Sequence, residues 1–145
     1  GEFPSLRLVF TEGPNSGQTN GYKPGSKIRV GRVVRGNTLS IKDAGVSSKH
    51  LLIQVENSSD LVAKGWAVTD LGSSNGTILN RQMLEPSQPV LLSEGDVIKI
   101  GEVTSITVEF EVNNVETDTN ATTQRRIPKR KAARNQVSRL GAIEE

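Results

Sequence analysis

The chain contains no cysteine and only one histidine among its 145 residues. The absence of cysteine excludes a disulfide framework and a thiolate metal site, and a single imidazole cannot form a cluster of nitrogen ligands, so we expect no metal and no cofactor. No apolar run approaches the roughly 18 residues needed to span a bilayer, and no charged-then-apolar leader opens the sequence. We therefore expect a soluble, intracellular chain with no membrane partner.

Aromatic residues are scarce, at 3%, and hydrophobic residues make up 34% of the chain, which suits one compact domain with a small core. Short alternating runs, separated by Gly, Ser, Asn and Pro clusters, predict β-strands. These runs are Leu6–Phe10, Ile28–Arg32, Leu39–Ile41, His50–Val55, Trp66–Asp70, Thr77–Leu79, Val90–Leu92, Val97–Ile100 and Thr104–Val112. Many short strands with few helical windows favour an all-β sandwich. The last run alternates most clearly, and we expect it to close the sheet.

The composition changes after Val112. Residues 113–124 are polar with almost no large apolar side chain, so burial cannot offset the entropy of ordering them, and we expect a flexible linker. Residues 113–145 contain seven basic and four acidic side chains, against eleven and twelve in residues 1–112, so the basic character of the chain belongs to this end. Residues 125–145 are expected to form a disordered basic tail.

The basic tail has three interpretations, which are a nuclear import signal, weak contact with nucleic acid, and a solvated disordered segment. Contact with nucleic acid would involve Arg125, Arg126, Lys129, Arg130 and Lys131. No aromatic residue is interleaved with them to stack on bases, so such contact would be nonspecific and salt-sensitive. At the other end, residues 1–4 are expected to be a cloning remnant or disordered, because the chain starts at Gly1 and its only methionine is Met83.

Four short fragments follow one another along the chain and together suit the capture of a phosphate group. They are Gly31-Arg32, Ser47-Ser48-Lys49-His50, Ser73-Ser74-Asn75-Gly76-Thr77 and Asn80. They supply a guanidinium fork, hydroxyl donors, exposed backbone N–H groups and a side-chain amide. The arginine ends an apolar run and the other groups lie in Gly/Ser/Asn-rich turns. Binding residues usually occupy such loops when a rigid sheet carries them.

In chain order the motifs are GR, SxxH and DLGSSNG, followed by a further Asn. This ordered set resembles the forkhead-associated (FHA) domain family over roughly residues 5–112. The resemblance implies a β-sandwich of two twisted, mostly antiparallel sheets with about eleven short strands. It also implies a monomeric module that binds phosphothreonine in partner proteins.

The resemblance assigns a role to each matching residue of the phosphate site. Arg32 would form parallel hydrogen bonds to phosphate oxygens, an arrangement that the point charge of lysine cannot reproduce. Ser47 would donate its hydroxyl, Ser48 a backbone N–H or its hydroxyl, and Ser74 a third hydroxyl or N–H. Asn75 would hold the peptide backbone beside the phosphothreonine.

Four further residues are expected to be structural. Gly31 and Gly76 suit positions where a side chain would block the required dihedrals or a close approach. Asn80 is expected to support a loop. The resemblance places His50 behind the binding loops, where a neutral imidazole can bridge two loop backbones.

A hydrolase interpretation of Asp43, Ser47 and His50 is rejected on context. No strand–elbow–helix motif surrounds the serine, and a serine three residues before its proposed base is not by itself a triad. We therefore expect no catalytic residue and no enzymatic activity.

Selectivity would begin with the methyl group of the phosphothreonine, whose burial is worth up to about 1 kcal/mol over phosphoserine. Arg35 and Asn37 follow Arg32 and are the candidates for peptide specificity, with a mild acidic preference expected from Arg35. The polar stretch Glu56–Lys64 is predicted to be a hairpin loop far from the site.

Two other functions remain open. The domain could be a phosphate-independent interaction scaffold, or the basic tail could bind nucleic acid with the domain as a passenger. Neither explains why Arg32, Ser47, Ser74 and Asn75 occur together. A module of this kind does not reveal its process, but with the basic tail we expect a nuclear protein that acts in signalling.

Overall fold

The computed structural model describes residues 3–57 and 64–111. Eleven β-strands and no helix occur in these ranges. The strands are β1 (Ser5–Glu12), β2 (Thr19–Tyr22), β3 (Ile28–Gly31), β4 (Leu39–Ser40), β5 (Leu51–Glu56), β6 (Gly65–Asp70), β7 (Thr77–Leu79), β8 (Gln82–Met83), β9 (Val90–Leu91), β10 (Val97–Ile100) and β11 (Thr104–Glu111). The predicted all-β fold with about eleven short strands is confirmed.

The strands form two sheets. One has six strands in the order β2-β1-β11-β10-β7-β8, and the other has five in the order β4-β3-β5-β6-β9. Every neighbouring pair is antiparallel except β3 and β4, which are parallel. The predicted mostly antiparallel pairing is therefore confirmed.

Alternate residues of both sheets supply the core. Along β1, Leu6, Leu8 and Phe10 are buried, as the period of two in an extended strand requires. Trp66 of β6 is the largest fully buried side chain, and its Nε1–H donates to the Pro4 carbonyl oxygen at 2.8 Å. That bond satisfies the single polar donor of the indole ring. The packed sheets hold the loops at their ends in place.

Three details differ from the sequence predictions. Strand β11 does not lie at an edge of its sheet but between β1 and β10. Strand β2 was not predicted because its sequence, TNGY, contains turn-forming residues; it forms because it pairs with β1 from Leu6 to Val9. Strand β8 was missed because both of its residues are exposed, so it has no buried apolar position to signal a strand.

Several predictions concern residues outside the described ranges. They are the end of the last run at Val112, the linker and basic tail that follow it, most of the predicted Glu56–Lys64 hairpin loop, and residues 1 and 2. In the part of the chain that is described, no helix has the length and apolar character needed to cross a membrane.

Candidate functional site

Three loops that follow β3, β4 and β6 meet at one end of the sandwich. Together they form a depression of about 380 Å³, which we call the loop cleft. It is lined by Arg32, Ala44, Gly45, Val46, Ser47, Ser48, Ser74 and Asn75. The structure thus brings all five residues predicted to touch the phosphate or the peptide into one cleft.

Arg32 begins the first loop and is held by the second. Its backbone N–H donates to the Ser47 carbonyl oxygen at 3.1 Å, and its exposed side chain donates from Nη2 to Ser48 Oγ at 3.3 Å. Gly31, just before it, is buried where any Cβ would overlap the Ser48 carbonyl oxygen. Glycine at 31 is therefore required by the close approach of the second loop, with no need for a positive φ.

The serines of the cleft are arranged by backbone donors. The hydroxyl oxygen of Ser47 accepts a hydrogen bond from the Ser74 N–H at 2.9 Å. The hydroxyl proton of Ser47 therefore stays available to a ligand. Because the N–H of Ser74 is already used, its hydroxyl is the group that remains for a phosphate. Of the two groups of Ser74 that could bind a phosphate, the N–H and the hydroxyl, the structure therefore favours the hydroxyl.

Asn75 fastens the third loop to the second. Its side-chain Nδ2 donates to the Gly45 carbonyl oxygen at 2.8 Å, while the residue itself is exposed. The amide oxygen Oδ1 has no hydrogen-bond partner among the described residues. Asn75 can therefore hold the loops together and still accept a hydrogen bond from the N–H of a bound peptide.

His50 directly precedes β5, is completely buried, and bridges the second and third loops. Its Nδ1 accepts from the Ser47 N–H at 3.0 Å, and its Nε2 lies 2.9 Å from the Gly76 carbonyl oxygen. This geometry is that of a loop support, as the sequence predicted.

The buried carboxylate of Asp43 stabilises the second loop, a role that the sequence did not predict. Asp43 accepts hydrogen bonds from the backbone N–H groups of Gly45, Glu102 and Val103 at 2.9–3.1 Å and from the Thr104 hydroxyl at 2.8 Å. Burial raises the pKa of a carboxyl, but these hydrogen bonds outweigh it and lower the pKa of Asp43 to about 2. No local motif signals this role, because all of its partners except Gly45 lie about sixty residues away.

Asp70, at the end of β6, organises the third loop in the same way. Its carboxylate accepts from the hydroxyls of Ser73 and Thr77, both at 2.6 Å, and from the backbone N–H groups of Gly72 and Ser73. Burial opposes ionisation, but the hydrogen bonds prevail and the pKa of Asp70 is lowered. Its carboxylate is buried and not solvated.

Gly76 and Asn80 occupy structural positions. Gly76 has a φ of 86°, and a Cβ there would overlap the sulfur of Met83. Asn80 accepts from the Val97 N–H at 2.9 Å and donates to Asp96 at 2.8 Å, so it ties the β7–β8 turn to the start of β10.

The two residues predicted to set peptide specificity do not line the loop cleft. The Nδ2 of Asn37 donates to the carbonyl oxygens of Arg32 and Ser48, both at 2.8 Å, so it clamps the first loop to the second. Asn37 therefore braces the two loops, and its contact with peptide side chains stays a prediction. Arg35 is exposed in the same loop. Within residues 3–57 and 64–111, no group of three or more His, Cys, Asp and Glu side chains could hold a metal ion.

The FHA domain family model matches residues 28–101. The chain belongs to the FHA domain family. The matched range begins with β3 and ends one residue after β10, so it includes all three loops of the cleft. FHA domains are phosphothreonine-binding modules.

Individual relatives agree with the family. An FHA domain-containing protein of Arabidopsis thaliana is 55% identical over 111 residues, which cover 77% of this chain and 27% of that protein. The solution structure of the FHA domain of an Arabidopsis thaliana hypothetical protein is 50% identical, with a TM-score of 0.69, and the match covers 84% of this chain and 92% of that one. This chain spans between 11% and 27% of the length of the curated relatives it matches.

A second similar structure contains a ligand. The crystal structure of the MEK1 FHA domain in complex with a HOP1 phosphothreonine peptide is 25% identical to this chain, with a TM-score of 0.60. The match covers 74% of this chain and 97% of that one.

Proposed function

We propose that this FHA domain binds phosphothreonine in an extended segment of a partner protein, with the phosphate in the loop cleft. The observation that carries the proposal is the convergence of the Arg32 guanidinium with three serine hydroxyls in one depression of about 380 Å³. A phosphate monoester carries a charge of about −1.5 to −2 at neutral pH and offers three acceptor oxygens. A guanidinium and several hydroxyl donors match that charge and that number of acceptors.

We further propose that the domain binds its ligand without catalysing a reaction. A serine hydrolase needs a base that takes the proton of the nucleophilic hydroxyl. Here Nδ1 of His50 accepts from the Ser47 backbone N–H, and Nε2 faces the Gly76 carbonyl oxygen. Neither nitrogen is available to the Ser47 hydroxyl.

Arginine substitution tests the phosphate site. We expect Arg32→Ala to weaken binding of phosphothreonine peptides by about a hundredfold or more, because a hydrogen bond to a charged group contributes about 1.5–3 kcal/mol and the fork can form two. Arg29→Ala is the matched control, since this exposed arginine lies on β3, outside the loop cleft. Amide NMR titrations with degenerate peptide libraries containing phosphothreonine, phosphoserine or threonine would report both affinity and location.

The outcomes separate the candidate functions. Affinity that falls less than twofold in Arg32→Ala would contradict the phosphate site. Partner binding that also survives phosphatase treatment would identify a phosphate-independent scaffold instead.

We also propose that the parent protein acts in the nucleus, on the basis of the five basic residues within Arg125–Lys131. A fluorescent fusion should concentrate in nuclei and lose this distribution when residues 125–139 are deleted. Unchanged distribution after the deletion would contradict the proposal.

A further inference from the structure

The only sulfur atom of the chain lies against the loop that carries Ser74 and Asn75. The sequence has no cysteine and a single methionine, Met83. Met83 lies on β8 opposite Ile78 of β7, so the two side chains share one face of the sheet. Its thioether covers Gly76, where a Cβ would overlap the sulfur and lie 3.0 Å from the terminal methyl carbon. The methionine therefore fills the space that a side chain at Gly76 would need.

Gly76 fixes the end of the third loop. Its N–H donates to Ser73 Oγ at 2.9 Å, and its carbonyl oxygen lies 2.9 Å from His50 Nε2. Asn75, the residue expected to hold the bound peptide, directly precedes it in the chain. Met83 does not line the loop cleft, so its influence on a ligand passes through the position of this loop.

The sulfur of Met83 is accessible to small oxidants. The residue is 57% exposed, whereas Trp66, the only tryptophan, is 2% exposed. Peroxides oxidise a thioether to its sulfoxide. The sulfur gives an electron pair to one peroxide oxygen, the O–O bond breaks, an S–O bond forms, and hydrogen peroxide leaves as water. Methionine sulfoxide reductases reverse this change.

The sulfoxide does not fit the contact with Gly76. Its oxygen is a hydrogen-bond acceptor, and packing a polar group without a partner costs free energy. The N–H of Gly76 already donates to Ser73, and Ile78 across the hairpin offers an apolar side chain. The oxygen must therefore turn towards water. That movement draws the sulfur away from the glycine and uncovers the end of the third loop.

We propose that Met83 is a redox-sensitive modification site, at which oxidation by peroxides displaces the third loop and weakens phosphopeptide binding. The inference rests on the proposed function, because that function supplies the ligand whose affinity changes. Met83 is a positioning residue, since it acts on Ser74 and Asn75 through Gly76. Reduction of the sulfoxide restores the contact and, with it, the affinity.

The test compares the reduced and oxidised forms of the whole chain. Hydrogen peroxide would be added and then removed with catalase, and mass spectrometry of the peptide containing Met83 would report the added oxygen. Fluorescence anisotropy with a labelled degenerate library of phosphothreonine peptides gives the affinity. Oxidation should weaken binding about three- to tenfold, which corresponds to the loss of about one hydrogen bond. Treatment with methionine sulfoxide reductases for both epimers should restore the affinity.

A variant and a spectrum locate the effect. Met83→Leu keeps an apolar side chain and removes the sulfur, so its affinity should be the same before and after peroxide. In amide NMR spectra of the wild type, oxidation should shift the signals of Gly76 and Asn75. The signal of Tyr22 should stay in place, because β2 and β8 are the opposite edges of the same sheet.

Different results would overturn different statements. An oxidised wild type that binds within twofold of the reduced form, or an equal loss of affinity in oxidised Met83→Leu, would refute the redox site. Loss of the folded spectrum on oxidation would also refute it, since Met83 would then support the whole domain. Failure of the reduced wild type to bind any phosphorylated peptide would overturn the proposed function. The amide spectra would still decide on the loop in that case, and unshifted signals of Gly76 and Asn75 would refute its displacement.

Discussion

At the scale of single residues, backbone N–H groups decide how the side chains of the loop cleft are oriented. A backbone N–H can only donate, so Nδ1 of His50, 3.0 Å from the nitrogen of Ser47, must accept. The ring proton then lies on Nε2, which donates to the Gly76 carbonyl oxygen at 2.9 Å. One histidine thus satisfies a donor in the second loop and an acceptor in the third.

The tautomer of His50 can be measured without ambiguity, because it is the only histidine of the chain. In ¹⁵N-labelled protein at about pH 7.5, long-range ¹H–¹⁵N spectra should show a protonated Nε2 and an unprotonated Nδ1. The Nε2 proton should exchange slowly, since the residue is 0% exposed. The same sample unfolded in urea is the control and should give tautomer-averaged nitrogens. A proton on Nδ1 in the folded state would contradict the assigned hydrogen bonds.

At the scale of elements, the turn of the β7–β8 hairpin holds a residue in an unfavourable backbone conformation. Its two turn residues, Asn80 and Arg81, have φ angles of 50° and 74°, so both lie in the left-handed region. Two-residue hairpins favour this geometry because it matches strand twist, and Asn-Gly is the preferred pair. Asn80 suits its position, but a left-handed residue with a Cβ costs about 1–2 kcal/mol.

Replacing the second turn residue should relieve that cost. We expect Arg81→Gly to raise the free energy of unfolding by up to about 1 kcal/mol, because the relief exceeds the extra chain entropy of glycine, about 0.5–1 kcal/mol. Urea denaturation would measure the change. Arg29→Gly, at an exposed position within β3, is the matched control and should destabilise the domain. A loss of stability in Arg81→Gly would contradict the assigned turn.

Strands were predicted correctly where the sequence of the strand itself alternates between core-facing and solvent-facing side chains. Strands β7 and β10 have the predicted bounds, because buried residues alternate with more exposed ones within each short run. Strand β2 could not be predicted, since its partner β1 determines it and its own residues favour turns. Strand β8 likewise depends on the turn that folds it onto β7. Alternation of side chains therefore identifies the strands that cover the core. Strands β2 and β8 form instead because they pair with β1 and β7.

At the scale of the whole molecule, the sequence predicted which residues meet and gave His50 a bridging role, but it did not predict the bracing of the loops by buried carboxylates. The family motif was enough to identify the site residues, and the fold places all five in one cleft. They are Arg32, Ser47, Ser48, Ser74 and Asn75. The bracing by Asp43 could not be predicted, because its partners Glu102 and Val103 follow β10 and become neighbours only when the sheets pack.

Because buried carboxylates brace the loops, the free energy of unfolding of the whole domain should depend on pH. The folded-state pKa of Asp43 is about 2, below its ordinary value of 3.8, and that of Asp70 is also lowered. A carboxyl with a lowered folded pKa binds protons more tightly in the unfolded chain, so its stabilisation is present above the unfolded pKa and is lost below it. The free energy of unfolding should therefore fall as the pH drops from about 5 towards 2.

Asp43 should contribute about 1–2 kcal/mol of this loss, after allowance for screening by solvent. Urea denaturation of wild type and Asp43→Asn at pH 7 and pH 3 would isolate it. The variant should be less stable at pH 7, because the neutral amide cannot replace a carboxylate that accepts from three backbone N–H groups. Its deficit should shrink at pH 3, because the unfolded wild-type chain then binds a proton at Asp43 and the stabilisation by the folded carboxylate is partly lost. Glu85→Gln, at an exposed carboxylate, should show no such convergence. A deficit that is the same at both pH values would mean that the brace acts through shape and not through charge.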